Sequence, residues 1–156
     1  MSSSPAWVGF DAIVEPLVWG ESTYTIIRLD DALAAAAAAQ RTRRVEGRVE
    51  DVEVNVGLNR ADVLEDAFMY VGGSLRRRLG VRPGDVVRCR LRPADPDLVP
   101  LPDDVREALT AARRLEPFER RRPAERRRRL QPVEDAARPE TRARRIAALV
   151  AGESPD

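Results

Sequence analysis

Residues 44–58 carry the clearest alternation in the chain. Val45, Gly47 and Val49 alternate with Glu46, Arg48 and Glu50; Val52, Val54, Val56 and Leu58 then alternate with Glu53, Asn55 and Gly57. A period of two with apolar residues on one face predicts strands covered by a core on one side. The pattern recurs near residue 90, where Val87, Cys89 and Leu91 alternate with Arg88, Arg90 and Arg92. Residues 8–29 read as two strands joined by a turn at Trp19-Gly-Glu-Ser22, and Pro16 restricts the first to an edge or a strand end. Ala67–Val71 is a further short strand, and Arg82-Pro-Gly-Asp85 is a turn.

Helical signals fall between and after these strands. Asp30 and Asp31 offer an N-cap to a helix over 32–40, whose Ala34–Ala39 run has high propensity but little to bury, so it is expected to lie lightly on the fold. Gly72-Gly-Ser74 opens a brief helix over 75–79, ended by Gly80. A Pro-rich linker at 95–102 leads to three helical segments. Asp103 or Asp104 can cap the first; Pro123 begins the second, which Pro132 interrupts; Pro139 stands at the start of the third, with Ile146, Leu149 and Val150 as an apolar stripe. The expected class is therefore mainly β with C-terminal helices (α+β). The expected architecture is a small closed six-stranded β-barrel over 8–95 with a docked helical appendage over 103–152, and flexible termini at 1–7 and 153–156.

These residues resemble a known pairing of domains. The Val45-Glu-Gly47 strand and Leu79-Gly-Val-Arg-Pro-Gly-Asp-Val-Val87 are similar to a small β-barrel domain of unknown function. Val99-Pro-Leu-Pro-Asp-Asp-Val-Arg-Glu-Ala-Leu109 and Pro139-Glu-Thr-Arg-Ala-Arg-Arg-Ile146 resemble the start and the closing motif of a YdeI/OmpD-associated (bacteriocin-protection) helical tail. The resemblance implies a barrel followed by helices. It brings no established reaction or ligand, because the family name records a phenotype.

Composition narrows the chemistry. The chain has no His, and all 27 of its basic residues are Arg, which removes the commonest general base, the commonest metal ligand and the Schiff-base amine. No cofactor is expected, and neither is a transition-metal site. Exclusive use of Arg with a long Ala run also fits coding bias in a GC-rich genome. One cysteine forms no internal disulfide, and Met1–Trp7 lacks the basic start and apolar run of a signal peptide. No apolar stretch approaches the roughly 20 residues of a membrane span, so a cytoplasmic location is expected. The net charge of +1 hides an asymmetry: residues 1–105 sum to −4, residues 106–145 to +7 and the last eleven to −2.

Two clusters are candidate anion sites. Gly72, Gly73 and Ser74 with Arg76 and Arg77 combine helix-start amides with guanidinium groups, which suits a phosphate or carboxylate. Glu65 and Asp66, a few residues upstream, supply the same negative charge from within, and a capped turn with internal ion pairs is the preferred reading. Arg126, Arg127, Arg142, Arg144 and Arg145 form a candidate polyanion surface. Phe118 is the one aromatic in that region, and several Glu side chains lie within helical pairing distance, so a solvated face is preferred there. Cys89 shares the Val87/Leu91 face and is expected in the core. Trp7 and Trp19 either close the core or line a barrel mouth.

The function these residues predict is a non-enzymatic binding or interaction module with an Arg-rich, anion-binding surface. A sequence-nonspecific nucleic-acid-binding protein is the alternative, and a small-molecule or lipid-binding barrel the third. The partner is unspecified beyond an anionic ligand or nucleic acid.

Overall fold

The computed structural model of the chain describes residues 6–153. It divides at Pro96/Asp97 into two compact units, a sheet unit and a helical unit.

In the sheet unit the elements run β1 (Val8–Trp19), β2 (Ser22–Arg28), α1 (Asp31–Ala39), β3 (Arg44–Val49), β4 (Val52–Gly57), β5 (Asn59–Ala61), β6 (Leu64–Tyr70), α2 (Gly73–Leu79) and β7 (Val86–Pro93). The strands form one antiparallel sheet in the order β4-β3-β7-β1-β2-β6-β5. β1 serves two neighbours. Its first half, Val8 to Ile13, pairs with β7, and its second half, Val14 to Trp19, pairs with β2. The change of partner is held by the Arg82–Asp85 turn. Gly84, at φ +100°, donates to the Val14 carbonyl at 2.7 Å, and Val14 donates to the Asp85 carbonyl at 2.9 Å. Pro and a positive-φ Gly at the two central positions are what a type II turn requires. Pro16 then lies where β7 has left, so its missing N–H forfeits no ladder bond.

The expected closed six-stranded barrel is corrected to an open sheet of seven strands. β4 and β5 are its two ends and no ladder joins them; the chain passes between them at Leu58, whose N–H donates to the Arg43 carbonyl at 2.7 Å. Residues 52–58 read as a single strand because Val52–Leu58 alternates. The chain instead turns at Leu58 and pairs Asn59–Ala61 with β6 across a register shift.

The inner face is filled by Val14, Ile27, Val45, Val49, Met69, Val87, Cys89 and Leu91. α1 does more than lie lightly on it. Asp30 accepts from the Ala32 N–H at 2.9 Å as N-cap, and Leu33, Ala34 and Ala37 are buried. Burying Leu33 fully contributes about 2 kcal/mol, and the small alanines let the helix backbone approach closely. Cys89 is buried in this core; burial, with help from the Glu50 and Asp11 charges, pushes its thiol up to about 12. Leu17, Ile26 and Phe68 form a second cluster, and Phe68 meets Tyr70 edge-on at 5.3 Å.

The helical unit holds four helices, where three segments were expected: α3 (Asp103–Ala111), α4 (Leu115–Glu119), α5 (Pro123–Glu134) and α6 (Pro139–Ala151). Val105, Leu109, Phe118, Leu130, Val133, Ile146 and Leu149 form its core. Pro102, not Asp103 or Asp104, occupies the N-cap position of α3; both aspartates sit in the first turn, where the helix dipole favours them. Pro132 does not interrupt α5, which continues to Glu134. The cost, one lost hydrogen bond to the Arg128 carbonyl and ring crowding there, falls on the preceding turn, which Leu130 and Val133 anchor in the core.

The unit boundary also changes the charge picture. Residues 1–96 carry 13 Arg and 14 acids, a net of −1; residues 97–156 carry 14 and 12, a net of +2. The −4 and +7 of the sequence reading arose from a cut inside α3. Each unit comes close to balancing its own charge.

Candidate anion-binding surfaces

At the first expected site, Gly72 is the N-cap of α2 with no side-chain cap bond, and Ser74 lies inside the helix. α2 is only seven residues long, so Arg76, Arg77 and Arg78 fall in its last turn. There the dipole attracts cations rather than opposing them. Arg76 Nη1 reaches the Thr25 hydroxyl at 3.4 Å and Arg78 Nη2 the Glu53 carbonyl at 3.3 Å. Arg77 alone lies back toward Gly73, its Nη1 3.4 Å from where a Cβ would stand. The structure thus brings Gly73 and Arg77 together and sends Arg76 elsewhere.

At the second expected site, most guanidinium groups turn inward. Arg142 makes two bonds to Asp104, at 2.7 and 2.9 Å, and a third to the Val133 carbonyl at 3.4 Å. Arg145 Nη1 donates to the Pro132 carbonyl at 2.7 Å. Arg126 donates to the carbonyls of Arg121 and Asp97, both at 3.1 Å. Arg127 is half-buried, and desolvation foremost, then the Arg126 charge, lowers its pKa from the ordinary arginine range. Arg144 is exposed. Arg142 and Arg145 are thus structural: they bridge α3 and α5 to α6 and satisfy carbonyls at the C-terminal end of α5.

The Asp104–Arg142 pair has a pH consequence. The Arg142 hydrogen bonds hold the Asp104 carboxyl below its usual range. Its contribution is therefore present above the unfolded carboxyl value of about 3.9 and lost as pH falls through the lower folded value. Both side chains keep access to water, so the contribution stays below about 1 kcal/mol. Asp104→Asn should lower the thermal midpoint by a few degrees at pH 7. Melts repeated near pH 3 should show the gap to wild type closing; a gap independent of pH would assign the loss to packing.

A third surface was not singled out by sequence reasoning. The outward positions of β7 are Arg88, Arg90 and Arg92. Arg90 stands directly across from Gly9 on β1 and from Arg48 on β3, and Arg92 stands across from Glu46. Trp7 precedes β1 on the same face, with the Arg92 guanidinium 4.3 Å and the Arg90 guanidinium 5.3 Å from its ring centre. Its ring rests on Gly47, whose φ of +141° belongs to glycine. Arg48 has Glu53 at 3.6 Å and Arg88 has Asp11 at 3.8 Å, whereas Arg90 and Arg92 have no carboxylate partner among the described residues. Placing Arg48 directly opposite Arg90 is unfavourable for the sheet on its own. The alternation of Arg88, Arg90 and Arg92 was visible in the sequence; the register that sets Trp7 beside them was not.

Two surface clefts flank this face. One, of about 330 Å³, is lined by Arg92, Glu46, Gln40 and Thr42 among others. The other, of about 460 Å³, gathers Asp11, Glu15, Asp30, Asp31 and Asp66 around Arg28, which bonds Glu15 at 2.8 Å and Asp66 at 3.2 Å. Trp19 lies at the β1–β2 turn rather than at a barrel mouth. The termini expected to be flexible, 1–7 and 153–156, fall mostly outside the described residues. Trp7 and Glu153, which are within them, are both held, Glu153 as a buried carboxylate between Arg121 and Arg129.

Among the described residues, no helix is long and apolar enough to cross a membrane. Residues 99–152 match the family described as bacteriocin-protection, YdeI or OmpD-associated, a span that covers α3 to α6 and includes the Arg142 and Arg145 bridges. No curated protein and no solved structure matches the chain.

Proposed function

We propose that this chain, whose helical unit carries the YdeI/OmpD-associated match, is a non-enzymatic binding module that takes an anionic partner on the outer face of its sheet unit. The observation that carries this reading is the pair Arg90 and Arg92, held over Trp7 and, among the described residues, in no ion pair. Guanidinium groups stacked on an aromatic ring keep their N–H edges free, and those edges match phosphate and carboxylate oxygens. An anion here would also relieve the Arg48–Arg90 opposition. The side-chain inventory supports binding over catalysis, since the chain has neither His nor Lys and its Cys89 thiol is buried with a raised pKa. The family name attaches a protective phenotype to the helical unit and no reaction.

Inorganic polyphosphate is the direct probe. Binding to the full chain should weaken as salt rises. Changing Arg90 and Arg92 together to Ala should cost about tenfold or more, at two charge-assisted contacts. Arg144→Ala, on the exposed face of α6, should change little. Loss on Arg144→Ala with no effect at Arg90 and Arg92 would move the site to the helical unit and overturn the proposal.

A further inference from the structure

Resting on that anion-binding reading, we infer that the partner is single-stranded nucleic acid, with an unstacked base seated beside Trp7 and its phosphates on the Arg row of β7. Outward along β1 the positions are Trp7, Gly9 and Asp11. Gly9 leaves a gap next to the ring: a Cβ there would meet nothing closer than the Cys89 carbonyl, at 4.0 Å. The Arg90 side chain borders the gap across the strand, the sheet backbone is its floor, and Trp7 stands two positions away on the same face. A flat heterocycle fits such a slot, and stacking tolerates any base because every base has a π-face. Arg90 and Arg92 stand two residues apart, about 7 Å along the strand, so they can meet successive backbone phosphates. Beyond Arg92 the 330 Å³ cleft offers Gln40 to a neighbouring nucleoside, while Glu46 and Asp95 in its lining bound the phosphate track at that end. At the other end the Asp11–Asp66 carboxylate cleft repels phosphate and bounds the track.

Other anions fit less well. In a duplex the base faces are covered, so an aromatic wall on a flat sheet has nothing to stack against. A lone phosphate needs one or two guanidinium groups and no ring. A lipid surface calls for aromatic side chains that project into the interface, whereas Trp7 packs against Gly47 with Arg90 and Arg92 over its ring.

The test compares a short fluorescein-labelled oligothymidylate, inorganic polyphosphate, duplex DNA of similar charge and phosphatidylglycerol vesicles against the full chain. Trp19→Phe is the background, so that the remaining tryptophan signal reports Trp7. The oligothymidylate should bind with salt-sensitive affinity and quench Trp7. Trp7→Ala should weaken it on the order of tenfold while leaving polyphosphate unchanged. Trp7→Phe, which keeps a ring over Gly47, should restore most of the affinity and controls for folding. Arg90→Ala should weaken both ligands. If polyphosphate and oligothymidylate bind alike and Trp7→Ala alters neither, the nucleic-acid inference falls and the anion module stands. Preference for duplex or vesicles also overturns it. Failure to bind any of the four overturns both readings.

Discussion

Gly47→Ala should destabilise the sheet unit by about 3 kcal/mol or more, a large share of the roughly 5–15 kcal/mol of an ordinary domain. Three costs act together. The φ of +141° is a region that L side chains rarely adopt; the new Cβ would overlap the Arg90 carbonyl oxygen; and it would meet the Trp7 ring at 2.8 Å. The Arg90 carbonyl cannot retreat without opening the β3–β7 ladder, in which Gly47 faces Leu91. Gly9→Ala is the matched control, because its Cβ enters open space on the same face. Thermal melts by circular dichroism should show a large loss for the first change and nearly none for the second. Equal losses would mean that the close approach at Gly47 costs no more than any methyl added on this face, since restricting the unfolded chain by itself favours alanine.

The second large effect is expected at Glu153. Its carboxylate is 1% exposed and receives Arg121 Nε at 2.8 and 2.9 Å and Arg129 Nη1 at 3.3 Å. Removing one side of a buried pair strands the other charge at a cost of about 3–5 kcal/mol where both are fully buried. Arg121 and Arg129 keep partial access to water, which brings the expected loss for Glu153→Ala to about 2 kcal/mol. For a unit this small that corresponds to roughly 10 °C in the helical melt. Glu153→Gln, which keeps the shape and one acceptor, should fall between. A helical melt unmoved by either change would show that the two arginines are as well solvated without their carboxylate.

What the sequence disclosed and what it hid divide along a physical line. Val87, Cys89 and Leu91 announced a strand because a one-sided core imposes a period of two, and the structure places all three in the core. Asn59–Ala61 announced nothing, since three residues cannot establish a period, and that omission turned an open seven-stranded sheet into a closed barrel of six. Periodicity assigns faces, not neighbours. It showed Arg90 pointing outward but could not show Trp7 beside it or Arg48 opposite. The helical arginines were misjudged for a related reason. Glu residues at helical spacing are visible as partners, whereas Arg145 bonds the Pro132 carbonyl, thirteen positions away, and a backbone acceptor leaves no mark in a sequence.

That habit of bonding distant carbonyls shapes how the helical unit is assembled. None of α3 to α6 carries a basic residue in its own last turn. Carbonyls near the end of α5 are met by Arg142 and Arg145 from α6, and the Val150 carbonyl of α6 by Arg114 at 2.7 Å. Helices of 12 and 13 residues are marginal alone in water. Each therefore depends on another for its completion: α5 by itself leaves carbonyls of its final turn open, and α6 brings the donors that the earlier helix lacks.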